Sequence, residues 1–564
     1  METKRLLNIE AFSVVSYNVD GIAIPIGIAY TINGNIKYIS FDENGPERVF
    51  YTVVNSFAVN TVYYAHGLVF HFLLFLKPLI KSKIKFRWFF IKYDLYEVII
   101  ETQRGRITLR CSHKLIPFKM ESFYPSLCDT PKLTKEPLTN DINLSHNGQV
   151  YPTLDQESYM KAYASNECYI LRCGLINFFS ELTCLGIDYS TRPLTCGSIA
   201  MKYFTKKYNS IRLSLPKQIS SIIRNAYYGG RCEVFGNPRR GEKILHFDFK
   251  GMYQSCLKED LPYGDYFYTS SDLNLNTPGF YYVSLHCRDK IPLLPSRGDK
   301  LYFKSGTIRG WYWHEEIIAA LDLSSATDVK LEHGLISKRN GRFLSEFIDD
   351  LGRLRDQGGL KKQIGKLLIN SFYGRLGLDE GIELLQLKAD PGDSKKYGQI
   401  EDYYLIKKKA LFKVQSNVGV AAAVTSKARI KLYEAFLEVN AAGGRVIYCD
   451  TDSVFACFPE GANVEDRALG RHVKFDTSLP DTVLKDAVFI NPKTYGVLCS
   501  NGDEFVKIKG INVDMISFTQ LKSSFYSGSS RLPMSSETKR KKGLNLVQMS
   551  EDRSIDLKGY DKRV

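Results

Sequence analysis

The sequence predicts an α/β protein of several domains, and three observations predict it. Two apolar, strand-like runs, "RVIY" and "SVFACF", meet at the acidic tip Cys449-Asp450-Thr451-Asp452, as two strands of a hairpin do. The segment "KKQIGKLLINSFYGRLG" instead has the 3.6-residue period of a helix. Its length of 564 residues, 44% of them hydrophobic, is enough to bury a core in each of several domains.

The hairpin tip carries the first candidate chemistry. Residues i and i+2 of a strand share a face, so Asp450 and Asp452 project together unless the turn redirects one of them. At ~4 Å and an effective dielectric near ~20, two carboxylates repel by about 4 kcal/mol, which favours a cation between them. Oxygen ligands without histidine or cysteine suit Mg²⁺ or Mn²⁺. Taken alone, the stretch also reads as an ordinary acidic turn. Upstream, "HFDFKGMYQS" ends a β-rich approach at Asp248 and offers a third carboxylate.

The helical segment places Lys362, Lys366, Asn370 and Tyr373 on one stripe and Ile364, Leu367, Leu368 and Phe372 opposite. One face is suited to an anion and the other to a core. After it, "SNVGVAAAVTSKARIKLYEAFLEVN" is a long helical pattern leading into the acidic hairpin.

In order along the chain, these segments resemble motifs A, B and C of family B DNA polymerases, in the protein-primed branch of phages, adenoviruses and linear plasmids. Motif A (D-x-x-S-L-Y-P-S) matches Asp248 to Ser255, with Gly251, Met252 and Gln254 in place of Ser, Leu and Pro. Motif B (K-x-x-x-N-S-x-Y-G) is intact at Lys366, Asn370, Ser371, Tyr373 and Gly374, and motif C (Y-x-D-T-D-S) at Tyr448 to Ser453. "NPKTYG" supplies the K-x-Y signature as Lys493 and Tyr495, and "AYYGGRCEVF" the Y-x-G-G signature as Tyr227, Gly229 and Gly230.

The resemblance implies an RNase H-like exonuclease domain followed by a right-hand polymerase with two insertions. The expected boundaries are 1–195 for the exonuclease-like part, 196–264 for the linker and first palm segment, and 265–345 for the first insertion. Fingers follow at 346–380, the second insertion at 381–412 as two strands around a polar loop, the remaining palm at 413–500 and the thumb at 501–564.

It also implies roles. Asp248, Asp450 and Asp452 are the catalytic carboxylates, with Asp248 and Asp452 holding two Mg²⁺ ions (or Mn²⁺) and Asp450 a supporting ligand or neighbour. Lys362, Lys366, Asn370 and Tyr373 bind the incoming dNTP, and Tyr253 lies under its sugar to exclude a 2′-hydroxyl. Tyr227, Gly229, Gly230, Lys493 and Tyr495 hold primer and template. The partners are a DNA primer-template, dNTPs and a separate terminal protein that offers a priming hydroxyl, with the chain itself a monomer. The competing expectations are a non-catalytic DNA-binding remnant and a reverse transcriptase or RNA polymerase with a similar palm.

The N-terminal part departs from the family. The first exonuclease motif, D-x-E, is read here at Asn18 and Asp20; in the second the asparagine becomes Gly67 with no aspartate between Asp42 and Asp94; in the third, Y-x-x-x-D becomes Tyr163 with Glu167. A site stripped of most of its negative charge cannot gather divalent ions, so proofreading is expected to be absent or weak.

Composition fits a polyanion partner. Lys plus Arg number 76 against 61 Asp plus Glu, a formal charge of +15, and the excess recurs in runs such as "NPRRGEK", "SKRNGR" and "IKKKALFK". Thirty-five Tyr and 33 Phe interleave with these runs and are available to stack on bases. Twelve cysteines without a C-x-x-C pair read as reduced intracellular thiols. "METKRLLNIE" lacks an apolar signal region and "LVFHFLLFLKPLI" is short and interrupted by His71, Lys77 and Pro78, so neither leader nor membrane span is expected. By kinship the expected location is the mitochondrion, with a viral or host-cell interior as the alternative.

Overall fold

The computed structural model describes residues 9–19, 22–41, 45–91, 94–120, 143–144, 150–151, 154–187, 193–208, 213–298, 300–379, 381–411, 415–462, 483–509, 516–527, 531–542 and 545–556. Three sheets organise them. The sheet that carries the acidic hairpin has seven strands, in the order Cys232–Val234, Arg445–Asp450, Ser453–Pro459, Glu242–Asp248, Val483–Asn491, Thr494–Cys499 and Glu504–Lys507. Its first five members alternate or run apolar, as a sheet covered by helices requires. The cover includes the helix Val418–Ala441, in which Val420 to Arg429 are all buried.

A second sheet of four strands, Leu261–Thr269, Ala326–Gly341, Gly279–Cys287 and Gly306–Trp313, leans on that same helix through its strands Leu261–Thr269 and Gly306–Trp313. It begins at Leu261.

The third sheet is the largest. Its core strands Phe86–Ile91, Asp94–Thr102, Gly105–Cys111, Val62–Ala65, Ile9–Val19 and Ile22–Ile32 come from the N-terminal part, packed on one side by Gly45–Ser56 and Leu68–Lys81 and on the other by the long helix Leu154–Cys184. Leu68–Lys81 runs unbroken through Lys77 and Pro78, and among the described residues no helix is long and apolar enough to cross a membrane.

Two expectations change here. The segment 381–411 forms three strands, not two: Gly381–Lys388, Lys396–Ile400 and Tyr403–Leu411. The first of them joins the edge of the N-terminal sheet, pairing Leu384 with Ile91 while the Trp88 indole donates to the Leu385 carbonyl at 2.8 Å. At the opposite edge the hairpin Arg531–Lys542/Asn545–Asp556 adds itself through Ile22 and Val547. A sheet edge presents a row of unmet N–H and C=O groups, so distant segments complete it. The expected thumb at 501–564 is divided for the same reason, because Glu504–Lys507 pairs with Thr494–Cys499 in the seven-stranded sheet.

Candidate active site

The three acidic residues come together by strand register. Glu242–Asp248 runs antiparallel to Ser453–Pro459, with Asp248 opposite Ser453, and the Phe249 N–H donates to the Asp452 carbonyl at 2.7 Å. Asp248 therefore stands beside Asp452, from a strand some two hundred residues away in sequence. Between Asp450 and Asp452 the chain makes a tight turn: Asp452 N–H donates to the Asp450 carbonyl at 2.7 Å, and Thr451 has φ 65°.

That turn separates the two carboxylates' surroundings. Lys493 Nζ donates to Asp450 Oδ1 at 2.7 Å and to Oδ2 at 2.9 Å, and Lys507 Nζ stands 3.7 Å from Oδ2. Asp452 is half-buried; burial raises its pKa, the Asp450 charge adds to the rise, and Lys493 and Lys366 oppose it. Two crowded carboxylates suit a divalent ion that draws remaining ligands from backbone, water and phosphate. Among the described residues no three Asp, Glu, His or Cys side chains gather as a ready-made cage. Both Asp450 oxygens accept from Lys493, and Asp248 and Asp452 are the residues that could hold a divalent ion.

The helix Gly359–Leu376 holds the nucleotide-side candidates. Ile364, Leu367, Leu368, Ile369 and Phe372 are buried, which turns Lys362, Lys366 and Asn370 to solvent and leaves Tyr373 half-buried. A Cβ on Gly365 would lie 2.8 Å from the Leu351 carbonyl, so this helix crosses Ser345–Asp356 at close range and its exposed stripe has one orientation. Lys366 is near enough to Asp452 to lower its pKa.

Tyr253 sits in the short helix Met252–Leu257, whose N-cap Gly251 has φ 68°. That left-handed backbone explains glycine where the motif usually has serine. The Tyr253 ring lies 4.4 Å from that of Tyr373, and Tyr373 meets the Tyr227 hydroxyl at 3.4 Å. Burial pushes Tyr253 up to about 12 and Tyr373 well above its ordinary value, so both are neutral phenols.

The Tyr227–Gly230 loop is held from beneath. Arg429 donates to the Tyr228 carbonyl at 3.0 Å and the Gly229 carbonyl at 3.1 Å while gripping Glu316 with both ends of its guanidinium, at 2.6 and 2.7 Å. The loop's far end passes to the acidic turn, where the Arg231 carbonyl accepts the Thr451 N–H at 2.7 Å. Tyr495 packs its ring among Tyr448 and Phe489, and burial pushes it to about 12. Sequence reading gave no role to Arg231, Arg429 or Lys507, because each acts by its position in the fold.

The family of type B DNA polymerases, organellar and viral, is matched over residues 135–430, just over half of the chain. The chain belongs to that family. Among curated relatives of this type B polymerase, a probable DNA polymerase of Podospora anserina is 25% identical over 394 residues and one of Ascobolus immersus 26% over 409. These matches take in 60% and 65% of this chain and 32% of each relative, so the chain spans about a third of their length. The DNA-directed DNA polymerase of Enterobacteria phage PRD1 is 22% identical over 467 residues, 78% of this chain and 75% of the relative. Phi29 DNA polymerase complexed with primer-template DNA and incoming nucleotides superposes with a TM-score of 0.72 at 17% identity, covering 98% of this chain and 99% of that one. The chain has that fold: an exonuclease-like domain with the right-hand fold of the polymerases.

In its exonuclease-like domain, Glu167 has a partner that the sequence reading did not name. Glu167, on the helix Leu154–Cys184, accepts from the Ser13 hydroxyl, in the middle of the strand Ile9–Val19. Asn18 lies five residues further along, about 16 Å at strand rise, paired with Ala23 near the hairpin end. Asp20 lies outside the described residues. The residue that meets Glu167 is thus Ser13, with Val15 following on the same face. Gly67 precedes the helix Leu68–Lys81, which carries His71. His71 Nδ1 accepts the Val14 N–H at 3.0 Å, and Ser13, His66, His71 and Glu167 come together around one small gap. Tyr163 stacks on Tyr159 one turn before Glu167. Burial and the neighbouring His113 and His71 hold His66 down at about 4, so it adds no charge at neutral pH.

Proposed function

We propose that the chain is a DNA-directed DNA polymerase that adds deoxynucleotides to a DNA or protein primer by two-metal phosphoryl transfer. The observation that carries this reading is the backbone bond between Phe249 and Asp452, which sets Asp248 and Asp452 side by side under the field of Lys366. Asp248 and Asp452 hold the two divalent ions, Mg²⁺ or Mn²⁺, which when bound lower the pKa of the attacking hydroxyl and neutralise charge on the α-phosphate. Lys366, with Lys362 one turn away, neutralises the triphosphate; Asn370 and Tyr373 line the base pocket. Tyr253, backed by Tyr373, presents a fixed ring edge to the sugar and rejects a 2′-hydroxyl. Lys493 orients Asp450, and with Tyr495 and the Tyr227–Gly230 loop it positions the primer end.

The test is template-directed incorporation of labelled dNTP with Mg²⁺, lost in Asp452→Asn. A wild-type chain that binds primer-template and incorporates nothing is a DNA-binding remnant, and one that prefers rNTPs in competition with dNTPs overturns the role given to Tyr253.

Three finer readings belong to the same proposal. Proofreading is absent or weak, since Ser13, His66 and His71 share the gap with Glu167 in place of a carboxylate cluster; normal Mg²⁺-dependent degradation of a 3′-mismatched single strand would refute it. The first nucleotide is joined to a Ser, Thr or Tyr hydroxyl of a separate terminal protein, detectable as a labelled protein–nucleotide adduct. The replicon is a linear plasmid, organellar or viral DNA, with the mitochondrion as the place of work; imaging of the tagged chain in its host checks the location.

A further inference from the structure

The four-stranded sheet carries a feature that the polymerase reaction does not use. One of its faces is sealed at one end by Phe280, Trp313 and Leu335, all fully buried. Two residues along, the same face opens to solvent. There Tyr282 pairs in register with Trp311 on one side and His333 on the other, and Tyr268 stacks on His333. Ring centroids are 5.7 Å apart for Tyr282–Trp311, 6.0 Å for Tyr282–His333 and 5.7 Å for Tyr268–His333, so a row of four rings crosses all four strands. Tyr268 is 53% exposed and the other three are half-buried.

The next row is cationic. Ser284 pairs with both Arg309 and Lys330, and these two side chains are exposed. The nearest carboxylate along these strands, Glu332, is the bulge residue between the two rows. Tyr312, next to Trp311 and on the opposite face, stacks on Tyr228 at 5.4 Å, which puts the ring row one strand thickness behind the Tyr227–Gly230 loop.

Half-exposed rings in a line, with two cations set beside them, match the chemistry of an unpaired nucleic-acid strand: bases stack on flat faces and phosphates follow the cations. We propose that this face binds a single-stranded stretch of DNA, with bases on Tyr268, His333, Tyr282 and Trp311 and backbone on Arg309 and Lys330. The choice of DNA rests on the proposed polymerase activity, whereas the stacking chemistry stands independently of it. A bound strand here is a second contact outside the catalytic cleft, available to a template or displaced strand while the primer end is engaged.

The test uses the full chain with its cleft saturated by a hairpin primer-template, titrated with a fluorescein-labelled oligothymidylate and read by anisotropy. The wild type is expected to bind the oligonucleotide, and Tyr268→Ala/Tyr282→Ala to bind it at least about tenfold more weakly. Arg309→Gln/Lys330→Gln, exposed positions that do not threaten the fold, is expected to weaken binding and flatten its salt dependence. Incorporation on a short primed template stays unchanged in both. Absence of oligonucleotide binding once the cleft is filled, or equal binding by wild type and both variants, overturns the proposal. Loss of self-association in place of oligonucleotide binding, seen by sedimentation, also overturns it and makes the face a contact between copies. If the wild type binds the oligonucleotide but incorporates no dNTP, the polymerase reading fails and this site stands.

Discussion

Gly230 lies so close to Thr451 that a Cβ on the glycine would stand 2.7 Å from Thr451 Cγ2 and 2.8 Å from its Oγ1. The Tyr-x-Gly-Gly loop and the acidic turn are therefore one packed unit, closed by the Thr451 N–H bond to Arg231. The expected result of Gly230→Ala is a fall of about tenfold or more in kcat with a small loss of stability, about 1–3 kcal/mol for an overpacked contact. Thr451→Gly in the same chain should restore rate, because it removes the clash and suits the positive φ at that position. Steady-state kinetics alongside thermal melts checks both.

Asp452 gives a pH signature. Its pKa is raised by burial and by Asp450, so the folded protein holds that proton more tightly than the unfolded chain does. Stability without metal then declines as pH rises through the folded pKa. Asp452→Asn, which keeps the shape and removes the charge, is expected to raise the metal-free melting temperature near neutral pH while abolishing incorporation. An unchanged or lower melting temperature contradicts this.

Glu242 behaves in the opposite sense. Arg445 bonds to it and holds its carboxyl down at about 2 against an ordinary value of 4.5. A depressed carboxylate contributes stability that is present above its unfolded pKa and is lost as pH falls through the folded one. The pair ties the start of the strand ending at Asp248 to the start of the strand ending at Asp450. Acid unfolding of wild type should therefore steepen between about pH 4.5 and 2, and Glu242→Gln should flatten that limb.

Arg429 and Glu316 form a fully buried pair, with side chains 1% and 0% exposed. Arg429→Met leaves a buried carboxylate without its partner and is expected to cost about 3–5 kcal/mol in urea unfolding. Arg429→Met/Glu316→Leu should recover most of that stability yet not the rate, since the Tyr228 and Gly229 carbonyls still lack their donor.

The polymerase-side candidates were legible because each motif is short and local. Lys362, Lys366 and Asn370 share a face by helical period alone, and the i, i+2 spacing of Asp450 and Asp452 marks a hairpin tip whatever surrounds it. Exonuclease residues were harder to place. Asn18 and Asp20 mimic the D-x-E spacing, but Ser13 is the residue that meets Glu167, and no pattern within the strand Ile9–Val19 distinguishes a position mid-strand from one near its end.

By itself the sequence determined the chemistry on offer: three carboxylates, a lysine stripe, a motif A tyrosine and an excess of positive charge. Tertiary structure alone decided which groups share a partner. Asp450 turns to Lys493 and Lys507, Arg429 reaches under the Tyr228 loop, the 381–411 strands complete the N-terminal sheet edge, and four rings from four strands fall into one row. The reason is physical. Periodicity fixes the face a side chain takes on its own element, while register between distant strands and the closing of open sheet edges fix its neighbours, and those depend on the whole chain packing at once.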